Sequence, residues 1–133
     1  MWFDGQAKAA ADFYCSIFPN SKILDASPMV VNWEANGEKF MGLNGGPHFK
    51  FNEAVSFVIS CENQKEIDHY WSKLTADGGM ESNCGWCKDK FGLSWQVVPT
   101  EYFDLIHSND PVVRDKAMKG TLKQKKLILA ELK

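Results

Sequence analysis

The chain has 133 residues, of which 44% are hydrophobic, 24% charged and 13% aromatic. That length fits a single domain, large enough to fold without a disulfide or metal staple. No uninterrupted apolar run approaches the ~20 residues of a membrane span, and Asp4, Gly5 and Gln6 stand where a signal peptide needs an apolar stretch, so the expected protein is cytoplasmic and has no membrane partner. Charge splits unevenly: residues 1–110 hold eight basic and fifteen acidic side chains, residues 111–133 seven basic and two acidic. The acidic body argues against nucleic acid, whose binding draws on clustered Lys and Arg. Lys116, Lys119, Lys123, Lys125 and Lys126 read as the solvated face of a terminal helix.

Residues 7–18 predict a helix, because Ala10, Phe13, Tyr14, Ile17 and Phe18 fall on one face. Pro19, Asn20 and Ser21 end it. Three extended pieces follow, at 22–26, 29–35 and 38–44. Asn36-Gly37 between the last two is a two-residue hairpin signal, since both positions tolerate positive φ. Gly45, Gly46 and Pro47 then break the pattern. Residues 55–61 predict a strand, and Asn63 with Glu66 predicts a capping box opening a second helix. Its stripe is Ile67, Tyr70, Trp71 and Leu74, and Asp77, Gly78 and Gly79 stop it. Further strands are expected at 80–87 and 93–98. The two helical stripes begin 57 residues apart, at Ala10 and Ile67, so order and spacing indicate an internal repeat. Beyond Pro99 the pattern is helical, with Asp110 as N-cap, Pro111 at the first helical position and Gly120 expected to kink or divide the segment.

Strand alternation groups Phe40, Gly42 and Asn44 with Val30, Asn32, Glu34, Ser56, Val58, Ser60, Ser94, Gln96 and Val98 as a mildly polar lining. It assigns Met41, Leu43, Phe57, Ile59, Leu93, Trp95, Val97, Val31 and Trp33 to a helix-packing core. A lining of the first kind suits a small-molecule pocket or a solvated sheet face. Of the three histidines, His48 stands in a loop after Gly45-Gly46-Pro47 and is the acid/base candidate. Cys15, Cys61, Cys84 and Cys87 read as reduced structural thiols; Cys84-Gly-Trp-Cys87 admits a redox pair or half a zinc site, but lacks a following helix and a second close pair. No Walker loop, no Gly-x-Ser-x-Gly elbow and no Gly-x-Gly-x-x-Gly turn occurs.

Three blocks, Trp2 to Ile23 (WFDGQAKAAADFYCSIFPNSKI), Leu43 to Phe57 (LNGGPHFKFNEAVSF) and Cys84 to Pro99 (CGWCKDKFGLSWQVVP), resemble the PhnB-like branch of the glyoxalase/bleomycin-resistance (vicinal oxygen chelate) superfamily, often labelled a 3-demethylubiquinone-9 3-methyltransferase domain. The resemblance implies an α+β fold of two βαβββ modules curling into a cup-shaped mixed sheet, module one at about 1–52, module two at about 53–99, and a helical tail at 100–133. It also implies a homodimer and a first strand lying before Trp2. Relatives usually have a longer, glycine-rich connection where this chain runs Ala26-Ser27-Pro28-Met29, so an omitted loop is expected there. Superfamily members often hold a divalent metal with His and Glu. Here those positions carry Ser56 or Val55 and Gln96, so the standard metal ligands are not matched and the cofactor stays open. The function implied is binding of a small aromatic or quinone-like ligand and, on the enzyme reading, turning it over. The alternatives are a ligand-sequestering module and the methyltransferase of the family label. The residues expected to contact the ligand are Asn44, Ser56, Trp86 and Gln96, with His48 catalytic.

Overall fold

The computed structural model describes residues 1–133. Packing divides the chain into two compact units, Met1–Lys50 and Phe51–Lys133. The first contains β1 (Trp2–Phe3), α1 (Ala7–Ile17), β2 (Lys22–Ala26), β3 (Val30–Ala35) and β4 (Glu38–Asn44). The second contains β5 (Ser56–Cys61), α2 (Gln64–Leu74), β6 (Met80–Glu81), β7 (Trp86–Lys88), β8 (Ser94–Pro99), α3 (Thr100–Ile106) and α4 (Pro111–Leu122), then a 3₁₀ turn at Leu129–Glu131.

Each unit builds the same sheet. The order is β1-β4-β3-β2 in one and β5-β8-β7-β6 in the other. In both, the strand before the helix pairs parallel to the last strand of the module, and the remaining pairs are antiparallel. Helices α1 and α2 are offset by 57 residues at both ends. The repeat expected from spacing is therefore a structural one, and the fold is two βαβββ modules in an α+β protein. The tail after Pro99 belongs to the second unit.

In the first unit α1 buries Ala7, Ala10, Ala11, Tyr14 and Ile17. Trp33 is fully buried and stacks between Tyr14 and Phe40, with ring centroids at 6.0 and 5.7 Å. The small alanines let helix and sheet approach closely: a Cβ on Gly42 would lie 3.1 Å from the Ala7 Cβ and 3.1 Å from Trp33. The hairpin at Asn36-Gly37 forms as expected, with φ of 51° and 80°, and it places Trp33 opposite Phe40 and Val31 opposite Gly42. Directly opposed residues share a face, so Phe40, Gly42 and Asn44 lie with Val31 and Trp33 on the α1 side. Met41, 56% exposed, and Leu43 lie on the other side with Val30 and Asn32. This reverses the face assignment that the strand's own alternation gives.

The first strand described is Trp2–Phe3. Strands β2 and β3 are joined over Ser27, Pro28 and Met29, with the Ser27 N–H donating to the Val30 carbonyl at 2.8 Å. One further expectation is corrected. The strand expected at 80–87 breaks into β6 and β7 around a turn in which Cys84 and Gly85 take φ of 60° and 80°.

In the second unit α2 buries Ile67, Trp71 and Leu74 over a sheet face that holds Ile59, Cys61, Cys87, Trp95 and Val97. The Asn63 side chain caps the Glu66 N–H at 3.0 Å. The Glu66 carboxylate accepts from the Glu62 N–H at 2.7 Å, one residue earlier than in a capping box. Asp110 caps α4 as expected, accepting from the Val112 N–H at 2.9 Å. Gly120 does not divide α4, which runs on to Leu122; instead it makes room for Leu132, whose Cδ2 would lie 3.0 Å from a Cβ there. Leu122, at the end of α4, is exposed. No helix is long and apolar enough to cross a membrane.

Candidate functional site

Strand β8 lies at the centre of the second sheet, between β5 and β7. Its alternation sends Trp95, Val97 and Pro99 toward α2 and Ser94, Gln96 and Val98 to the opposite, distal face. Register then fills that face in rows. Ser94 is opposite Ser56 on one side and Lys88 on the other; Gln96 is opposite Val58 and Trp86. Three of the five expected site residues, Ser56, Trp86 and Gln96, are thus brought together by strand geometry alone. The Gln96 Nε2 donates to the Ser56 Oγ at 3.0 Å. The Trp86 side chain is half-buried, and its indole N–H makes no hydrogen bond.

Two features of this face are absent from the sequence-based expectation. Lys88 forms an ion pair with Glu53, and that hydrogen bond holds the Glu53 carboxyl below its ordinary pKa. A sequence signal for it exists, because Lys88 is two residues from Trp86 on one strand. The Ser94 Oγ is buried with no hydrogen-bond partner, an arrangement that costs about 1–3 kcal/mol. The distal face therefore carries a half-buried indole and a neutral amide–hydroxyl pair beside a salt bridge, with the Ser94 hydroxyl buried within it.

The other two expected site residues belong to the first unit. Asn44 ends β4 on the α1 side, and both ends of its amide are engaged: Oδ1 accepts from the Ala7 N–H at 2.9 Å and Nδ2 donates to the Pro28 carbonyl at 3.0 Å. It satisfies the start of α1 from a distant strand, where the local N-cap, Gln6, makes no side-chain bond. His48 is exposed in the loop after β4 and has no hydrogen-bond partner. That loop is anchored from β1: the Trp2 indole lies against Gly45, its Nε1 donates to the Gly46 carbonyl at 2.8 Å, and its ring meets Phe49 edge-on at 4.9 Å.

The cysteines are all free thiols. Burial pushes Cys61 and Cys87 up to about 12, so neither supplies thiolate near neutral pH. No three His, Cys, Asp or Glu side chains converge into a group that could hold a metal ion. Of the residues that the resemblance sets at the superfamily's metal-ligand positions, Ser56 or Val55 and Gln96, Ser56 and Gln96 are bonded to one another. The pair brings neither the carboxylate nor the imidazole of that ligand set and is a poor match for a divalent cation.

A pair of βαβββ modules, each with a helix on one sheet face, defines a protein of the glyoxalase-like class. Residues 1–98 match the model of the 3-demethylubiquinone-9 3-methyltransferase family, and the chain belongs to that family. Among solved structures it resembles the PhnB protein from Bacillus cereus, which carries the same methyltransferase label, at 28% identity and a TM-score of 0.68, over 75% of this chain and 95% of that one. It also shares its fold with protein PA1353 from Pseudomonas aeruginosa, at 14% identity and a TM-score of 0.60, over 74% and 92% of the two chains. No curated protein matches the chain.

Proposed function

We propose that the protein binds a small aromatic or quinone-like molecule on the distal face of the β5-β8-β7 sheet. Trp86 stacks on the ring, and Gln96 and Ser56 hydrogen-bond to its oxygen substituents. The observation that supports this most is the Trp86 indole, its N–H unpaired, set in register beside the Gln96–Ser56 pair. A tryptophan with an unpaired N–H offers an aromatic surface and a donor together.

Once a ligand is bound, the same site supports two outcomes. Its neutral lining, with Lys88 already paired to Glu53, favours sequestration, since nothing on the face polarises a bound carbonyl strongly. The enzyme reading takes its acid/base candidate, His48, from the exposed loop of the first unit, and gives it no place on the distal face. Methyl transfer, the reaction in the family's name, belongs with the enzyme reading. The homodimer implied by the resemblance is part of the proposal and is checked by light scattering.

The test is a calorimetric titration with tetramethyl-1,4-benzoquinone, whose fully substituted ring does not alkylate thiols. Stacking beyond area burial contributes about 0.5–1.5 kcal/mol, so Trp86→Ala should weaken binding roughly 3- to 10-fold, and Gln96→Ala by a comparable factor. Equal affinity of the wild type and both variants refutes the assignment of the face. That quinone has no hydroxyl to accept a methyl group, so turnover is read with 4-methylcatechol kept reduced: recovery unchanged after prolonged incubation, with and without a methyl donor, supports sequestration; turnover that disappears in His48→Ala supports catalysis.

A further inference from the structure

The segment after α4 lies outside the residues that match the family, yet it is tied to the turn that presents Trp86. The N–H groups of Cys84 and Gly85, two consecutive residues, donate to the carbonyls of Gln124 and Lys125, also consecutive, both at 2.8 Å. Leu127 is fully buried, and its Cδ1 would lie 3.1 Å from a Cβ on Gly85, a residue that also needs positive φ. The Gly85 carbonyl accepts from the Val97 N–H at 2.8 Å, next to Gln96. Gln64, at the start of α2, clasps the same segment: Nε2 donates to the Leu127 carbonyl at 3.0 Å, and Oε1 accepts from the Leu129 N–H at 2.9 Å. Lys126 pairs with Asp68 at 2.7 Å. Cys84 itself takes a φ of 60°, a conformation that a non-glycine residue adopts only when its surroundings impose it.

We propose that Leu127 and Gln64 are positioning residues for Trp86: the C-terminal segment holds the Asn83–Gly85 turn in its left-handed geometry and thereby sets how the indole stands on the distal face. This rests on the reading of that face as a ligand site. A chain with the same family module but a different C-terminal segment would present Trp86 differently and bind aromatic guests with different affinity.

The experiment uses the full chain labelled with ¹⁵N. The Trp86 indole resonance is identified by its loss in Trp86→Phe. Leu127→Ala and, more mildly, Gln64→Ala should shift or broaden that resonance and speed hydrogen exchange of the Cys84 and Gly85 amides at least tenfold, while the Trp33 indole of the first unit stays in place. Affinity for tetramethyl-1,4-benzoquinone should fall several-fold in Leu127→Ala, and this further loss should vanish in the Trp86→Phe background, because coupled residues are non-additive. Faster amide exchange with the Trp86 resonance and the affinity both unchanged overturns the proposal, leaving the tail a purely structural clasp. An equal loss with and without Trp86 also overturns it. If Leu127→Ala unfolds the second unit, Gln64→Ala, which removes only side-chain hydrogen bonds, supplies both readouts. Quinone affinity unaffected by Trp86→Phe in the wild type refutes the ligand site alone, since the resonance and exchange measurements need no ligand and still decide whether the tail sets Trp86.

Discussion

Asp89 shows how much of the second sheet hangs on one turn. Its carboxylate is only 2% exposed, and it accepts three hydrogen bonds: Oδ1 from the Phe91 N–H at 2.9 Å and the Leu93 N–H at 3.1 Å, Oδ2 from the Trp95 Nε1 at 2.9 Å. These bonds close the connection between β7 and β8, the two strands that carry Trp86 and Gln96. Asp89→Ala leaves three donors without an acceptor, two of them fully buried. At about 1–3 kcal/mol for each buried donor and less for the third, the loss is about 4–5 kcal/mol. Relief of the carboxylate's desolvation offsets part of this, but a carboxylate that receives three donors is already well compensated. Asp89→Asn keeps Oδ1 and both backbone bonds while turning an amide N–H₂ against the indole N–H, so its loss is about 2 kcal/mol. Against a typical total of about 5–15 kcal/mol, the alanine variant is marginal at room temperature and the asparagine variant folded. Urea unfolding followed by circular dichroism checks both, with an unchanged slope showing that the same surface is exposed. An alanine variant within about 1 kcal/mol of wild type, or less stable asparagine than alanine, refutes the reasoning.

Other outcomes rest on the same kinds of contact. Gly42→Ala should destabilise by about 1–3 kcal/mol, since its Cβ would press on Ala7 and the buried Trp33 at 3.1 Å; urea unfolding measures it. Cys61 and Cys87 should resist iodoacetamide at pH 8 until the chain is unfolded, as mass spectrometry would show. Because burial raises both folded pKa values from 9 to about 12, each thiol contributes stability that is fully present below pH 9 and lost as pH rises toward 12; an unfolding midpoint flat across that window contradicts the assignment. Asn44→Ala should cost about 1 kcal/mol through the lost Ala7 bond and leave quinone affinity unchanged, because its amide is spent on α1 and Pro28.

Local chemistry and spacing are what the sequence makes legible. The Asn36-Gly37 turn, the Asn63 and Asp110 caps and the 57-residue offset each announce themselves over a few residues, and each is present in the fold. Strand β4 misleads because Phe40-Met41-Gly42-Leu43 alternates without contrast: glycine carries no side chain to mark the buried face. Counting outward from the two-residue hairpin places Phe40 opposite Trp33 and corrects the phase. Strand β1 is two residues long and owes its existence to β4, so no local periodicity marks it. The break at Cys84 is equally silent, because the positive φ there is imposed by the carbonyls of Gln124 and Lys125, far along the chain. On the distal face, Ser56, Trp86 and Gln96 are legible because alternation and pairing fix them. The role of Asn44 is not, since it depends on where α1 begins in space rather than in the chain.

Chemical-shift mapping of the ¹⁵N-labelled chain with tetramethyl-1,4-benzoquinone tests the central claim most directly. Saturable shifts should cluster at Ser56, Val58, Trp86 and Gln96, with Ile67, Trp71 and Leu74 on the α2 side undisturbed. Shifts confined to the α2 side or scattered over the chain, or none at all up to millimolar quinone, would contradict it.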